Sequence, residues 1–536
     1  MDSYDFVIVG AGSAGCVLAN RLSADKSKKV LLLEAGGTDN RFYIQMPIGY
    51  GKTYYQKAVN WMYMSEKNPS AHNRKSYWPR GKVLGGSSSI NAMVYVRGNP
   101  QDFDDWYAHG NPGWSYSELL YYFKKMENWQ NGEDEFRGGS GPLNVSDVSE
   151  QLHPLCKSFI EGAKEIGINF NSDMNGLKQE GVGYYQLTTY KGRRMSSSRA
   201  YLKPALKRKN LKVITKAHVS RILFKNNIAL GVEYTKSGKA VKVLANKEVI
   251  ISAGSINSPQ LLQLSGIGPK SVLDDANVKV LVDSPAVGKN LQDHLGMDYF
   301  YTSKVPTLNN QLRPVLGKLW NGFRYIIARS GPLSLSVNQA GGFVRRNDSV
   351  NYPNIQLYFS PVSYTRAPEG KRPMTKPDPF PAFLMGISNC RPNSRGQIRI
   401  KNNNYMTAPI IEPNYLSDEE DVKELLDGVK LIRNIADTLS LKKMINNEIR
   451  PGPLCSTDEQ LIEDIRSYAW TVFHPTSTCR MGPEPLTDVV DSELKVYGVK
   501  GLRVADASIF PNLICGNINA ATIMVGEKAA DLILNK

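Results

Sequence analysis

A chain that opens with strand, glycine turn, helix and strand has little choice of fold, and residues 4 to 34 spell out that order. Tyr4-Asp5-Phe6-Val7-Ile8-Val9 is an apolar run of strand length, and Gly10-Ala11-Gly12-Ser13-Ala14-Gly15 follows as a tight turn. Cys16-Val17-Leu18-Ala19 continues as a helix, and Lys29-Val30-Leu31-Leu32-Leu33 returns as a second buried strand ending at Glu34. Together they predict a βαβ unit on a parallel sheet. Gly10 permits the turn, Gly12 lets a pyrophosphate approach the backbone, and Gly15 lets the helix pack closely on the sheet. Ser13 and Ala14 sit between them at the helix start. Glu34 is placed to accept hydrogen bonds from an adenosine ribose, and its charge repels a 2′-phosphate. The alternative is a glycine turn in an ordinary α/β protein.

A second glycine-serine segment decides between kinds of dinucleotide. Arg80-Gly81-Lys82-Val83-Leu84-Gly85-Gly86-Ser87-Ser88-Ser89-Ile90-Asn91 supplies small residues where another stretch of backbone must approach a cofactor, which points to a flavin rather than a nicotinamide. Val213-Ile214 and Glu248-Val249-Ile250-Ile251 read as strands, the latter running into Ser252-Ala253-Gly254, again small residues beside a ligand. The aromatic stretch through Trp61, Tyr63, Tyr77 and Trp78 reads as a cover over the cofactor or as ordinary loop packing.

Between about 300 and 460 the pattern changes to prolines, tyrosines and alternation such as Asn354-Ile355-Gln356-Leu357-Tyr358-Phe359, which fits a sheet covered on one side. This region is assigned to the substrate. Leu502-Arg503-Val504-Ala505-Asp506 and Ala520 to Leu534 then return to strand and helix of the first type. The chain thus leaves one domain and re-enters it. Segments 1–150, 211–298 and 465–536 are expected to bind the cofactor, and 151–210 and 299–464 to form the substrate domain.

Composition narrows the class. The 536 residues, 41% hydrophobic and 22% charged, suffice for two domains with a large core. The net charge of +16 comes from scattered residues, which reads as a solvated basic surface and not as a nucleic-acid site; peripheral attachment to the inner face of the cell membrane stays open beside it. Cys16, Cys156, Cys390, Cys455, Cys479 and Cys515 form no C-x-x-C pair, and the six histidines have no metal spacing, so no metal site or disulfide framework is expected. No stretch reaches the roughly 18 apolar residues of a membrane span, and Phe6 runs straight into the glycine turn without a leader pattern. The expectation is a cytoplasmic protein.

Two polar residues near the end carry the chemistry. In Phe473-His474-Pro475-Thr476-Ser477-Thr478-Cys479-Arg480-Met481-Gly482, His474 is the candidate general base, since an imidazole of pKa about 6.5 accepts an alcohol proton near neutrality. In Gly516-Asn517-Ile518-Asn519-Ala520-Ala521-Thr522-Ile523-Met524 the asparagines precede an apolar-periodic run. Asn517 can donate its amide to a substrate oxygen, and the free N–H groups of a helix start favour negative charge. The alternative is that Asn519 merely caps a surface helix.

These motifs together resemble the glucose-methanol-choline oxidoreductases, a family of FAD-dependent alcohol oxidases and dehydrogenases. The resemblance rests on Gly81-Lys82-Val83-Leu84-Gly85-Gly86 through Asn91 to Tyr95 and Gly98, and on Gly254-Ser255-Ile256-Asn257-Ser258-Pro259 to Gly268. It extends to Gly288-Lys289-Asn290-Leu291-Gln292-Asp293-His294 and Val504-Ala505-Asp506-Ala507-Ser508. Within the family the chain is most similar to bacterial choline dehydrogenases and aliphatic alcohol dehydrogenases.

The resemblance implies an α/β fold: an FAD-binding Rossmann-like domain with a discontinuous α+β substrate domain built on an antiparallel sheet. It implies catalysis by His474 and Asn517, with FAD contacts at Gly10, Gly12, Ser13, Ala14, Gly15, Glu34, Ala35, Trp61, Gly81, Gly86, Ser87, Asn91, Ala92, Met93, Val94, Val219, Asp506, Ala507 and Asn517. Ile90 stands where members that tether FAD carry a histidine, so FAD is expected to be noncovalent. The implied reaction oxidises a primary alcohol to an aldehyde and passes electrons to a quinone or another acceptor. An oxygen-using alcohol oxidase, an FAD lyase and a light-driven fatty-acid decarboxylase are the alternatives.

Overall fold

The structure, a computed structural model, describes residues 2–346, 350–364 and 376–535. Two seven-stranded sheets organise the described residues. In the first, Ser3–Val9 pairs in parallel with Val30–Glu34 and with Lys239–Ile251, Leu211–Thr215 extends it beyond Val30–Glu34, and Leu502–Val504 joins the far side of Lys239–Ile251. Val7, Ile8, Val30, Leu31 and Leu32 are fully buried, as strands covered on both faces must be, and this is why their sequences are unbroken apolar runs. The far half of Lys239–Ile251 turns instead into an antiparallel meander with Ile228–Lys236 and His218–Lys225.

The helix Ser13–Leu22 packs against the last helix, Asn519–Leu534, so the two ends of the chain close one domain. Arg21 grips Glu527 bidentately at 2.8 and 2.7 Å, and the Tyr201 hydroxyl donates to the same carboxylate at 2.8 Å. Glu527 is wholly buried and keeps only Lys125, 3.8 Å away, as a second cation, so losing Arg21 would cost up to about 3–5 kcal/mol.

The second sheet is antiparallel, in the order Ile445–Arg450, Leu295–Ser303, Ala382–Asn389, Ile355–Ser360, Ala340–Val344 and Gly181–Tyr184. Trp470–Thr471 pairs beside Ile445–Arg450 on the strand Leu295–Ser303. The helix Glu419–Ala436 covers one face, where Ile355, Leu357 and Phe359 form part of the core. Here the alternation of 354–359 requires a correction. The sheet is not solvated on its polar side, because Gln356 and Tyr358 are buried as well, Tyr358 lining the cavity described below and Gln356 bonded to Asn517 on its wall. Their polarity serves a site rather than water.

The turn that opens the chain leaves no room for a side chain. A Cβ on Gly15 would stand 1.9 Å from the Gly10 carbonyl oxygen. Gly15→Ala is therefore expected to destabilise the protein by about 3 kcal/mol through overpacking. Gly322→Ala, at a helical position with open space around it, should stabilise by up to about 1 kcal/mol. Thermal unfolding of both variants checks the contrast.

Candidate active site

A cavity of about 320 Å³ opens between the two sheets, and most of the sequence-predicted residues converge on it. Gly10, Gly12, Ser13, Ala14, Glu34, Ala35, Trp61, Gly81, Gly86, Ser87, Asn91, Ala92, Met93, Val94, Val219, Asp506 and Ala507 line it, as do His474 and Asn517. Gly15 does not line it; it lies behind the turn, packed against the Gly10 carbonyl.

The donor set fits a flavin dinucleotide. Gly86, at φ +52°, lies so close that a Cβ there would stand 2.7 Å from the Cα of Gly12, so the two glycine segments form one backbone wall. Ser13–Leu22 and Asn519–Leu534 both begin at the cavity with no side-chain cap, leaving first-turn N–H groups and positive dipole ends for anionic groups. The Ser13 hydroxyl ties the two helix starts together by donating to Asn519 Oδ1 at 2.8 Å. Asn519 thus bridges buried helices and caps no surface helix. At the far end Glu34 accepts from the N–H groups of Gly36 at 2.7 Å and Ala11 at 2.9 Å, while burial pushes its carboxyl up to about 7. Trp61 lies edge-on to His218, with Lys82 over its ring at 4.2 Å, and His218 meets Tyr405. His218 and Tyr405 line the cavity without any sequence motif to mark them.

At the opposite end the hydrogen bonds define the state of His474. His294 Nε2 lies 2.9 Å from the Cys390 carbonyl oxygen, which only accepts, so that nitrogen carries the proton. Burial pulls His294 down to about 4, so its ring is neutral and its Nδ1 must accept. His474 Nδ1, 2.9 Å away, therefore donates to it. Burial, with His294 and Arg80 nearby, holds His474 well below the usual histidine range. Its Nε2 consequently presents a lone pair, 3.2 Å from Asn517 Nδ2. Gln356 orients that amide by donating to Asn517 Oδ1 at 3.3 Å, and the Tyr358 hydroxyl donates to Gln356 Oε1 at 2.7 Å. A base and an amide donor thus meet at one point on the cavity wall.

The backbone under His474 is equally constrained. Phe473 adopts φ +71°, a left-handed conformation that costs a bulky residue about 1–3 kcal/mol. It is held by Thr471 Oγ1 accepting its N–H at 2.9 Å, by Arg80 donating to its carbonyl at 2.7 Å, and by Tyr54 and Trp470 against its ring. Asp293 Oδ1 accepts the His474 N–H at 2.7 Å, and its other oxygen accepts from the hydroxyls of Tyr415 and Thr471. Burial raises Asp293 to about 6. Asp293 and His294 lie in a motif the sequence singled out, but their roles came only with the fold. His294→Ala removes the acceptor that fixes the His474 ring, and is expected to lower kcat about 10- to 100-fold with little change in KM, which steady-state kinetics checks.

The chain is similar to known proteins over nearly its whole length. Two family models, both described as GMC oxidoreductase, match residues 4–296 and 392–526. An alcohol dehydrogenase [acceptor] of Pseudomonas putida is 44% identical over 99% of this chain and 96% of its own length. A mitochondrial choline dehydrogenase of Mus musculus is 41% identical over 99% and 89%. Among solved structures, pyridoxine 4-oxidase from Mesorbium loti superposes with a TM-score of 0.89 at 31% identity, covering 99% of both chains. Aspergillus oryzae formate oxidase, in a study of FAD modification, gives 0.92 at 26%, covering 99% of this chain and 98% of its own. By its sequence over nearly its whole length, and by its two-sheet fold, the chain belongs to the GMC oxidoreductase family.

Proposed function

We propose that this protein is an FAD-dependent alcohol dehydrogenase that oxidises a primary alcohol to an aldehyde. The observation that carries the reading is the lone pair of His474 Nε2 facing the Asn517 amide inside a cavity whose other end fits a dinucleotide. Segments 1–150, 211–298 and 465–536 hold the cofactor in this reading, and 151–210 and 299–464 shape the substrate side.

Bound FAD supplies the acceptor for the hydride that leaves the carbinol carbon. The residues of the chain manage the proton and the oxygen. His474 Nε2 takes the hydroxyl proton, and His294 keeps the ring turned so that this nitrogen, not Nδ1, faces the substrate. Asn517 Nδ2 donates to the same oxygen as negative charge develops on it. Tyr358, Leu384, Val472 and Trp470 line the wall and exclude water, which strengthens both interactions. Ile90 also lines the cavity and offers no nucleophile, which supports noncovalent FAD. The electron acceptor is a quinone or a comparable carrier, and the net charge of +16 supports peripheral contact with a membrane.

The apolar wall favours alkyl or benzylic alcohols, while Asp298 among aromatic rings also suits a cationic alcohol such as choline. A panel of these alcohols mixed anaerobically in darkness with the FAD-loaded protein distinguishes them: one class should bleach the flavin band. His474→Ala should keep FAD and lose about 100-fold or more in turnover. Full activity in that variant contradicts the assignment.

The pH profile follows from the same groups. The lowered pKa of His474 keeps the base unprotonated below the ordinary value of 6.5, and Asp293 stays ionised above about 6. kcat/KM should therefore be level from about pH 8 down to 6.5, with the acid limb below it.

A further inference from the structure

The helix Val315–Ala328 reverses the usual arrangement of a surface helix. Its inward face is Gly317, Asn321 and Tyr325, four residues apart: Asn321 Nδ2 donates to the carbonyls of Gln311 at 3.2 Å and Gly317 at 2.8 Å, and Tyr325 is buried against Phe42. Its outward face presents Leu316, Leu319, Trp320, Phe323, Ile326 and Ile327, each between 59% and 80% exposed. A contiguous apolar stripe of this kind marks an interaction surface.

The charge around it indicates the partner. The sequence holds no Asp or Glu between Asp298 and Asp348, and of the seven Lys or Arg from Lys304 to Arg346 only the last two, Arg345 and Arg346, pair with Glu180 and Glu420 among the described residues. Lys318 and Arg324 are exposed on the helix itself, Arg324 donating to the Ser330 hydroxyl at 3.2 Å, and no acidic group among the described residues forms an ion pair with either. An apolar stripe on a helix that carries Lys318 and Arg324 and no acidic residue complements an anionic lipid surface. A second copy of the chain would bring the same positive charge against itself.

The 14-residue helix is about 21 Å long, too short to cross a hydrocarbon core of about 30 Å, and among the described residues no helix is long and apolar enough to cross a membrane. It can only lie in the interface. A second cavity of about 350 Å³ opens beside it, lined by Lys318 and Asn321 of the helix, and shares Tyr50, Val337 and Tyr364 with the active-site cavity.

We propose that this helix face docks on an anionic bilayer, and that the second cavity opens there to admit an amphiphilic reactant dissolved in the lipid. The docking is independent of the chemistry; the entry route rests on the alcohol oxidoreductase reading.

The FAD-loaded protein is floated with vesicles of phosphatidylcholine alone or mixed with phosphatidylglycerol, beside the triple variant Leu319→Glu, Trp320→Glu, Phe323→Glu. The wild type should float with the anionic vesicles, and the variant should lose about tenfold or more of its bound fraction while keeping its melting temperature and its KM for a short water-soluble alcohol. KM for a long-chain alcohol carried in the vesicles should rise about tenfold in the variant. Equal flotation of the two proteins, or none of the wild type, overturns the docking. So does a wild-type dimer in light scattering that the variant splits, because a second copy then covers the face. Lost flotation with unchanged oxidation of the vesicle-borne alcohol overturns the entry route alone. If no alcohol is oxidised by either protein, flotation still decides the docking and the functional reading fails separately.

Discussion

In the proposed reaction, a single proton between two buried imidazoles determines what this cavity can do. His294 is anchored on the Cys390 carbonyl through Nε2, so it offers His474 an acceptor and nothing else, and His474 must turn its bare nitrogen toward Asn517. A neutral histidine deep in a protein is ordinarily a packing residue. Here burial disfavours its charge while a fixed neighbour selects the tautomer, which leaves one bare nitrogen for the proposed proton transfer. The strained Phe473, the carboxylate of Asp293 and the Arg80 guanidinium all hold the loop that carries this ring.

The two sheets meet around that loop. Asp293 and His294 immediately precede the strand Leu295–Ser303, and Trp470–Thr471 pairs with that strand just before His474. The antiparallel sheet thereby positions His474, and Gln356 from one of its strands orients the Asn517 amide. The turn after the first parallel strand and the short helical turn at Gly86–Ser89 bring Gly12 and Gly86 together as the backbone wall fitted to a dinucleotide. The division is physical: a diphosphate needs N–H groups and close approach, whereas proton transfer needs side chains held at fixed angles.

How much of this was legible in the sequence follows from the range of each interaction. The parallel strands were readable because burial on both faces leaves an unbroken apolar run, and the glycines because close backbone contact excludes every side chain. His474 and Asn517, 43 residues apart, were each identifiable as a polar residue beside a returning cofactor-domain element. The link from His294 to His474 spans 180 positions and exists only once the strands pair. The alternation at 354–359 showed two faces and not what the polar one met, which is the Asn517 amide at Gln356. Val315–Ala328 likewise shows an apolar period whose direction, outward, depends on Asn321 and Tyr325 being seated inward.

The central claim is that the carbinol C–H bond breaks at this site while His474 receives the hydroxyl proton. The most direct measurement is anaerobic rapid mixing of the FAD-loaded protein with an oxidisable alcohol and with its α-deuterated form, following the flavin band. Deuteration should slow the bleaching several-fold, because that bond is cut in the observed step. Equal rates for the two forms would contradict C–H cleavage as the step that His474 and Asn517 are arranged to promote.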